Sequence, residues 1–540
     1  MAAAPKTMPP TGGLRRAPGG GPRPGRGRPP RAPWVLLLIG AAIAVAALAP
    51  LAFLLLEASQ DGTATLRPLL FRQLTASLLW NTVSLTAVVT LVCAVIGTLA
   101  AWFVERTSLP GRRIWGVLVV IPVGIPDFVT SFGWKAIFPA FQGFAAAALV
   151  MSLAVYPLVY LPVAASFRNA DPAQEEVARS LGLGRLATFW RVTVVQARLA
   201  ILGGCLLVAL VMLSEYGAFE ILGFKTFTTE IYTEFLAGFN SPAACALSLV
   251  LVLLSLIVLA GEGVARGKGR VSRAGPLAAR IAHRHALGRA RLPVLAGFVV
   301  LVGLALGVPV GAIVYLLLRG GSSTLPSASI LSAAGHTAFY AAAAGLVSTL
   351  VALPVALLSL RHRGRAPQAI ERSIYLVLGI PGLVIALALS YFSERYAAGF
   401  LYQSSIMLIG AYALMFLPLA LVAVRASVAQ APPRLEEVGR SLGRSRVEVL
   451  WRVTVPLVAP GLAAGFCLVF LSAVTELTAT LVLIPTGAQT LSTEFWAFQT
   501  NLSYSQAAPY AGLMILIAAV PSYVLGRWFD RMPSRSETAA

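Results

Sequence analysis

The chain has 540 residues, of which 58% are hydrophobic and only 12% charged, with a mean hydropathy of +0.81. So small a charge fraction excludes a soluble protein of this size, which needs far more polar surface over its core, and makes lipid the expected solvent. The formal net charge of +21 does not point to nucleic acid, because the basic residues form short clusters between long apolar runs.

In chain order, residues 1–33 are rich in Pro, Gly and Arg, with seven basic residues and no acidic one, and predict a disordered basic tail. The apolar run from Trp34 to Leu56 is too long for a signal-peptide core and predicts a retained first span. Further spans are predicted near 82–104, 114–137, 144–167, 198–222 and 243–265, completing a first half over 34–265. A basic linker follows at 266–291. The second half, 292–530, holds runs near 293–318, 337–360, 373–393, 402–424, 458–484 and 508–528, before a short tail at 531–540. Each run suits the about 20 helical residues that a bilayer core requires. Pro50, Pro122, Pro126, Pro309, Pro381 and Pro418 lie within runs and predict kinks rather than ends, since neighbouring helices can satisfy the freed backbone groups. With the N-terminus placed in the cytoplasm, 36 of the 42 Lys and Arg fall on the inner side. The outer ones are Arg67, Arg72, Lys135, Lys225, Arg319 and Arg395. The expected fold is an all-α membrane protein of twelve transmembrane helices, multi-pass in the plasma or inner membrane, with both termini cytoplasmic.

The halves repeat. Pro172-Ala-Gln-Glu-Glu-Val-Ala-Arg-Ser-Leu-Gly182 returns 261 residues later as Pro433-Arg-Leu-Glu-Glu-Val-Gly-Arg-Ser-Leu-Gly443. The same offset relates Trp190-Arg-Val-Thr-Val194 to Trp451-Arg-Val-Thr-Val455, and Ser214-Glu215 to Thr475-Glu476. Slightly different offsets relate Ile125-Pro126 to Ile380-Pro381, Asn81-Thr82 to His336-Thr337, and Thr229-Glu230 to Thr493-Glu494. An even number of spans per half gives both the same orientation, hence two parallel six-helix repeats about an axis along the membrane normal.

The most similar segment is a loop, which must meet something, rather than a span, which need only be apolar. Pro172 and Pro433 suit a first helical position, with Asp171 as a cap for the first of them. Glu175-Glu176 and Glu436-Glu437 fall in first turns, where the helix dipole favours anions. Gly182 and Gly443 suit a left-handed helix end. Val177 with Leu181, and Val438 with Leu442, give each short helix an apolar stripe able to dock in a groove. No GxxxxGK[ST] loop is present. The nearest approach, Gly223-Phe-Lys225-Thr226, lacks the Gly-Lys pair.

Glu176, Ala178, Gly182, Val192 and Val194, and then Glu437, Gly439, Gly443, Val453, Val455 and Pro456, resemble the EAA loop of binding-protein-dependent ABC importer permeases. Gly439 stands for the alanine and Val195 for the proline of that pattern. The resemblance implies two coupling loops, centred on Glu175, Glu176, Ala178, Gly182 and on Glu436, Glu437, Gly439, Gly443. It also implies two separate ATP-binding subunits beneath them and an extracytoplasmic substrate-binding protein. The chain is then a transport subunit, not an enzyme, without a cofactor of its own; ATP and Mg belong to the partners. Apart from these it meets membrane lipid and no nucleic acid.

Glu215 and Glu476 follow some 16 apolar residues of their helices, about 24 Å from the inner end on a helical rise. They are candidate translocation-path acids, or else carboxylates held in helix packing. Asp127, beside Pro126, is a third candidate, although its repeat partner is Gly382. Cys93, Cys205, Cys245 and Cys467 lack CxxC spacing, three of the four histidines (His283, His285, His362) lie in basic loops, and no metal site is expected. Fusion of two permease halves, with Ser214-Glu-Tyr-Gly-Ala-Phe-Glu220 and Glu476-Leu-Thr-Ala-Thr480, is most similar to the iron(III) permeases. Thiamine, phosphonate and polyamine importers of the same family are alternatives, and an ion-coupled secondary transporter is the alternative of a different class.

Overall fold

The computed structural model describes residues 33–60, 67–68, 70–170, 172–236, 241–266, 285–320, 327–362 and 364–531. The expected basic tail, most of the linker and the Asp171 cap lie outside the described residues. Apolar runs that cannot leave backbone groups unpaired in lipid become helices, and every regular element among the described residues is helical. The first half contains α1 (Trp34–Gln60), α2 (Gln73–Arg106), α3 (Arg112–Leu118), α4 (Asp127–Ile137), α5 (Phe144–Val155) and α6 (Pro157–Asn169). It continues with α7 (Pro172–Ser180), α8 (Arg185–Thr188), α9 (Val194–Ser214), α10 (Gly217–Ile221), α11 (Phe227–Leu236) and α12 (Ser241–Arg266).

The second half repeats the order with its first helix divided by a π-turn: α13 (Arg291–Val302) and α14 (Val308–Arg319). Then come α15 (Ala328–Arg361), α16 (Arg365–Leu376), α17 (Gly382–Tyr396), α18 (Ser405–Gln430), α19 (Pro433–Ser441) and α20 (Arg446–Val449). The last are α21 (Val455–Val474), α22 (Thr478–Leu483), α23 (Leu491–Thr500) and α24 (Tyr504–Arg531). Among the described residues nine helices are long and apolar enough to cross a bilayer, or eleven if each of two bent pairs is one span.

Two expectations change. The predicted spans near 114–137 and 373–393 are broken rather than kinked: at Ile125-Pro126 and Ile380-Pro381 the chain turns by 95° and 104°. Ile125 and Ile380 are extended, as a residue before proline prefers, and Pro126 and Pro381 then stand at the N-caps of α4 and α17. The runs near 198–222 and 458–484 also stop early, at Ser214 and Val474, before the short helices α10 and α22. Prolines 50 and 418 remain inside continuous helices, as expected.

The first helix of each half packs on the other half. α1 lies on α15, α16 and α17, with Phe53 edge-on to Phe392 and Tyr396 and Glu57 paired with Arg395 at 3.3 Å. Reciprocally, α14 packs on α4, and Phe298 of α13 meets Phe103 and Trp115. A repeated threonine ties other elements: Thr82 Oγ1 accepts from Phe227 N (3.1 Å) and Thr337 Oγ1 from Leu491 N (2.9 Å). Each satisfies the first amide of a short helix, one of the donors that a helix cannot satisfy itself.

Candidate functional site: paired loops and a carboxylate-lined cavity

The two loops fold alike. Gly182 and Gly443 end α7 and α19 at φ +86° and +80°, the left-handed region that glycine enters without a Cβ clash. Arg179 and Arg440 carbonyls then accept from the glycine amides at 2.9 and 3.0 Å. Ala178 is buried, and Gly439 is buried against Val449, whose Cγ2 would lie 3.0 Å from a Cβ placed there. Only small side chains fit at this position, which accounts for glycine in place of alanine. The repeated Trp-Arg-Val-Thr segments form π-helical turns, Phe189–Thr193 and Leu450–Thr454, joining each loop to its long helix. Such turns carry an extra residue and recur at working joints of helices.

The adjacent glutamates divide the work. Glu175 and Glu436 point inward, each to the arginine that ends the long helix α2 or α15 of its own half. Arg106 reaches Glu175 at 3.2 Å and Arg361 reaches Glu436 at 3.0 Å. Glu176 and Glu437 stay exposed, beside exposed Val177, Leu181, Leu186 and Trp190 in one loop and Val438, Leu442, Val447 and Trp451 in the other. Each loop therefore presents an apolar patch with an exposed carboxylate, Glu176 or Glu437, at its edge.

The first loop carries more. Glu175 accepts from Thr193 Oγ1 at 2.9 Å and lies 3.5 Å from His285 Nε2 and 3.6 Å from Arg179. Burial alone would raise its carboxyl, but His285, Arg106 and Thr193 hold it below its ordinary value of 4.5. Arg106 and His285 were not singled out from the sequence. The signal for Arg106 was present: Arg106 and Arg361 share the 255-residue offset of Asn81-Thr82 and Ile125-Pro126.

Asp127, Glu215 and Glu476 come together. They line one cavity of about 240 Å³ with Pro126, Val123, Ser214, Thr475 and Thr478. The breaks that shorten the predicted helices create it. Glu215 follows α9 in an extended conformation, and its Oε1 accepts from Ala218 N at 2.7 Å; Glu476 Oε1 accepts from Ala479 N at 3.0 Å. Each carboxylate thus caps a short helix, as an N-cap acid does, and each retains capacity for further donors. The halves join here, with Gly382 N donating to Ser214 Oγ at 3.1 Å. Asp127 and Gly382 open equivalent helices, so the cavity has two matched acids and one without a counterpart. Among the described residues, no three His, Cys, Asp or Glu side chains are disposed to hold a metal ion.

The repeated pair Thr229-Glu230 and Thr493-Glu494 sits in α11 and α23. Both threonines cap: Thr226 N donates to Thr229 Oγ1 and Thr490 N to Thr493 Oγ1. Glu230 is 3.7 Å from Arg72.

The sequence matches the family described as the binding-protein-dependent transport system inner membrane component twice, over residues 95–262 and 348–535. The Fe(3+)-transport system permease protein FbpB 2 of Haemophilus influenzae is 36% identical over 503 residues, 93% of this chain and 99% of its own length. The ferric transport system permease protein FbpB of Actinobacillus pleuropneumoniae is 22% identical over 479 residues, 81% of this chain and 69% of the relative. The sulfate transport system permease protein CysW of Synechocystis is 31% identical over 190 residues, 31% of this chain and 67% of the relative.

Proposed function

The chain belongs to the binding-protein-dependent transport system inner membrane components and is the permease of an ABC importer; on that premise we propose that its cargo is iron(III). The observation that carries the cargo is similarity across 93% of the chain to a permease named for Fe(3+), whereas the sulfate relative matches 31% of it. The cavity supports the same choice. Its carboxyl and hydroxyl oxygens are the donor type that hard cations take, lining a passage rather than forming a fixed metal site. Thiamine and polyamines, being cationic, are separated from iron by the test below.

In this reading the two broken pairs and α24 complete twelve spans, with both termini and the loops α7 and α19 in the cytoplasm. Two ATPase subunits, which bind ATP and Mg, dock on the paired apolar patches, and Glu176 and Glu437 meet them at the rim. A substrate-binding protein delivers cargo at the opposite face, near α11 and α23. Closure of the ATPases moves α7 and α19, the π-turns pass the movement to α9 and α21, and the cavity at their far ends changes its opening.

The test is ATP-driven uptake of radioactive iron(III) into proteoliposomes holding the permease, its ATPase and its binding protein. Glu215→Gln and Glu476→Gln keep an oxygen for the Ala218 and Ala479 amides while removing charge. The double variant should lose roughly tenfold or more in uptake, about 1.4 kcal/mol or more, at unchanged melting temperature. Unchanged uptake, or uptake of spermidine or thiamine in place of iron, refutes the proposal.

A further inference from the structure

We propose that His285 is a positioning residue that fastens the first loop to the first helix of the second half, so that movement of α7 reaches the cavity by a second route across the halves. The route rests on the coupling role given to the loops above.

Backbone and ring contacts together define the junction. His285 N donates to Arg106 O at 2.9 Å, and Ser108 N donates to His285 O at 3.0 Å, a short bridge between the end of α2 and the start of the second half. The ring stacks on Trp102 at 6.1 Å between centroids with planes 26° apart. Its Nε2 lies 3.2 Å from the Arg179 guanidinium and 3.5 Å from the Glu175 carboxylate, both on α7. Leu287 N adds a bond to Ser108 Oγ at 3.4 Å.

From this junction the chain runs directly into α13 and α14, which are fixed to the first half along their length. Phe298 packs on Phe103 and Trp115. Farther along, α14 crosses α4 so closely that a Cβ on Gly133 would lie 2.6 Å from Pro309 Cα. Interfaces packed this tightly shift as units rather than deform. The helix gripped at Gly133 is the one that begins at Asp127, on the cavity wall. A push on α7 is therefore delivered through Glu175, His285 and α13–α14 to the acid that has no counterpart in the other half. In the second loop, among the described residues, Glu436 is paired with Arg361 alone. Among the described residues, Pro33 and Leu36 at the start of α1 line the space beside it.

The experiment reads cavity opening rather than uptake, so it does not depend on the identity of the cargo. A cysteine placed at Val123, on the cavity wall, is labelled with a membrane-impermeant maleimide in the complete permease–ATPase complex, with and without ATP and vanadate, corrected for the parent chain. His285→Ala should cut the nucleotide-dependent change in labelling rate severalfold while the co-purified ATPase stays constant. His285→Gln, which can still bond Glu175, should restore most of it. Arg289→Ala, an exposed side chain on the adjoining turn, should change nothing. Should His285→Ala impair assembly, Ser108→Ala weakens the same junction and should give a smaller loss in the same direction. A full nucleotide response in both His285→Ala and Ser108→Ala overturns the proposal, as does failure of His285→Gln to recover. No response in the unmodified chain would instead overturn the coupling reading on which it rests.

Discussion

Glu175 and Glu436 hold the same place in the two loops, yet replacing each by glutamine should have unequal consequences. Glu175 and Arg106 are 5% and 3% exposed, against 22% and 15% for Glu436 and Arg361. Removing one partner of a buried pair leaves the other charge stranded, at a cost of about 3–5 kcal/mol. Glu175→Gln should fall near the lower end, about 3 kcal/mol, because the amide oxygen can still accept from Thr193 and Arg106. Glu436→Gln should cost about 1 kcal/mol, the scale of a partly solvated pair, since Arg361 also donates to Ala431 O at 2.9 Å and keeps that bond. The first variant should lower the melting temperature of the purified permease strongly and release most of its ATPase in detergent; the second should do little of either. Equal losses, or a larger loss from Glu436→Gln, would show that burial does not set the strength of these anchors.

The same carboxylate sets a pH window. Because folding lowers its pKa, the stability it supplies is present above its ordinary value of 4.5 and is lost as the pH falls below it. The gap in melting temperature between the unmodified chain and Glu175→Gln should therefore narrow as the pH falls below 4.5, and a gap that persists in acid would contradict this. Gly439→Ala meets Val449 at 3.0 Å and should retain the ATPase within about 1 kcal/mol, whereas Ala178→Leu should lose it by overpacking, about 1–3 kcal/mol; co-purification measures both. Gly382→Asp would restore the symmetry of the cavity, but its Cβ would lie 2.5 Å from Met415 Cε and 3.7 Å from Glu476 Oε1. The methionine tip can turn aside, but a further carboxyl beside Glu476 should reduce uptake at least about tenfold, and retention of full uptake would show that the cavity tolerates another acid.

The apolar runs and the 261-residue repeat were legible because lipid and a repeated contact each leave a periodic mark on sequence. The helix ends at Gly182 and Gly443 were legible too, since few residues other than glycine accept their φ. The breaks at Glu215 and Glu476 were not. Hydropathy continues through them, and only the backbone shows that a carboxylate has taken over an amide of the next short helix. For the same reason the meeting of Asp127 with both glutamates was hidden: comparison by repeat set Asp127 against Gly382 and weakened it, whereas packing of the two halves brings all three acids to one cavity. His285 lay in a basic stretch with nothing to mark it. Its role depends on Trp102, Arg106 and Glu175, which are distant in sequence and converge only when the first helix of one half packs on the other.

The most direct measurement is ATP-dependent iron(III) uptake by proteoliposomes carrying the complex, comparing the unmodified chain with the Glu176→Lys, Glu437→Lys double variant. These two carboxylates are exposed at the patch edges and form no ion pair among the described residues. Uptake that needs ATP and collapses in the double variant, with its fold and melting temperature intact, is the predicted result. Undiminished ATP-driven uptake by the double variant, or uptake driven by an ion gradient without the ATPase, would contradict the account.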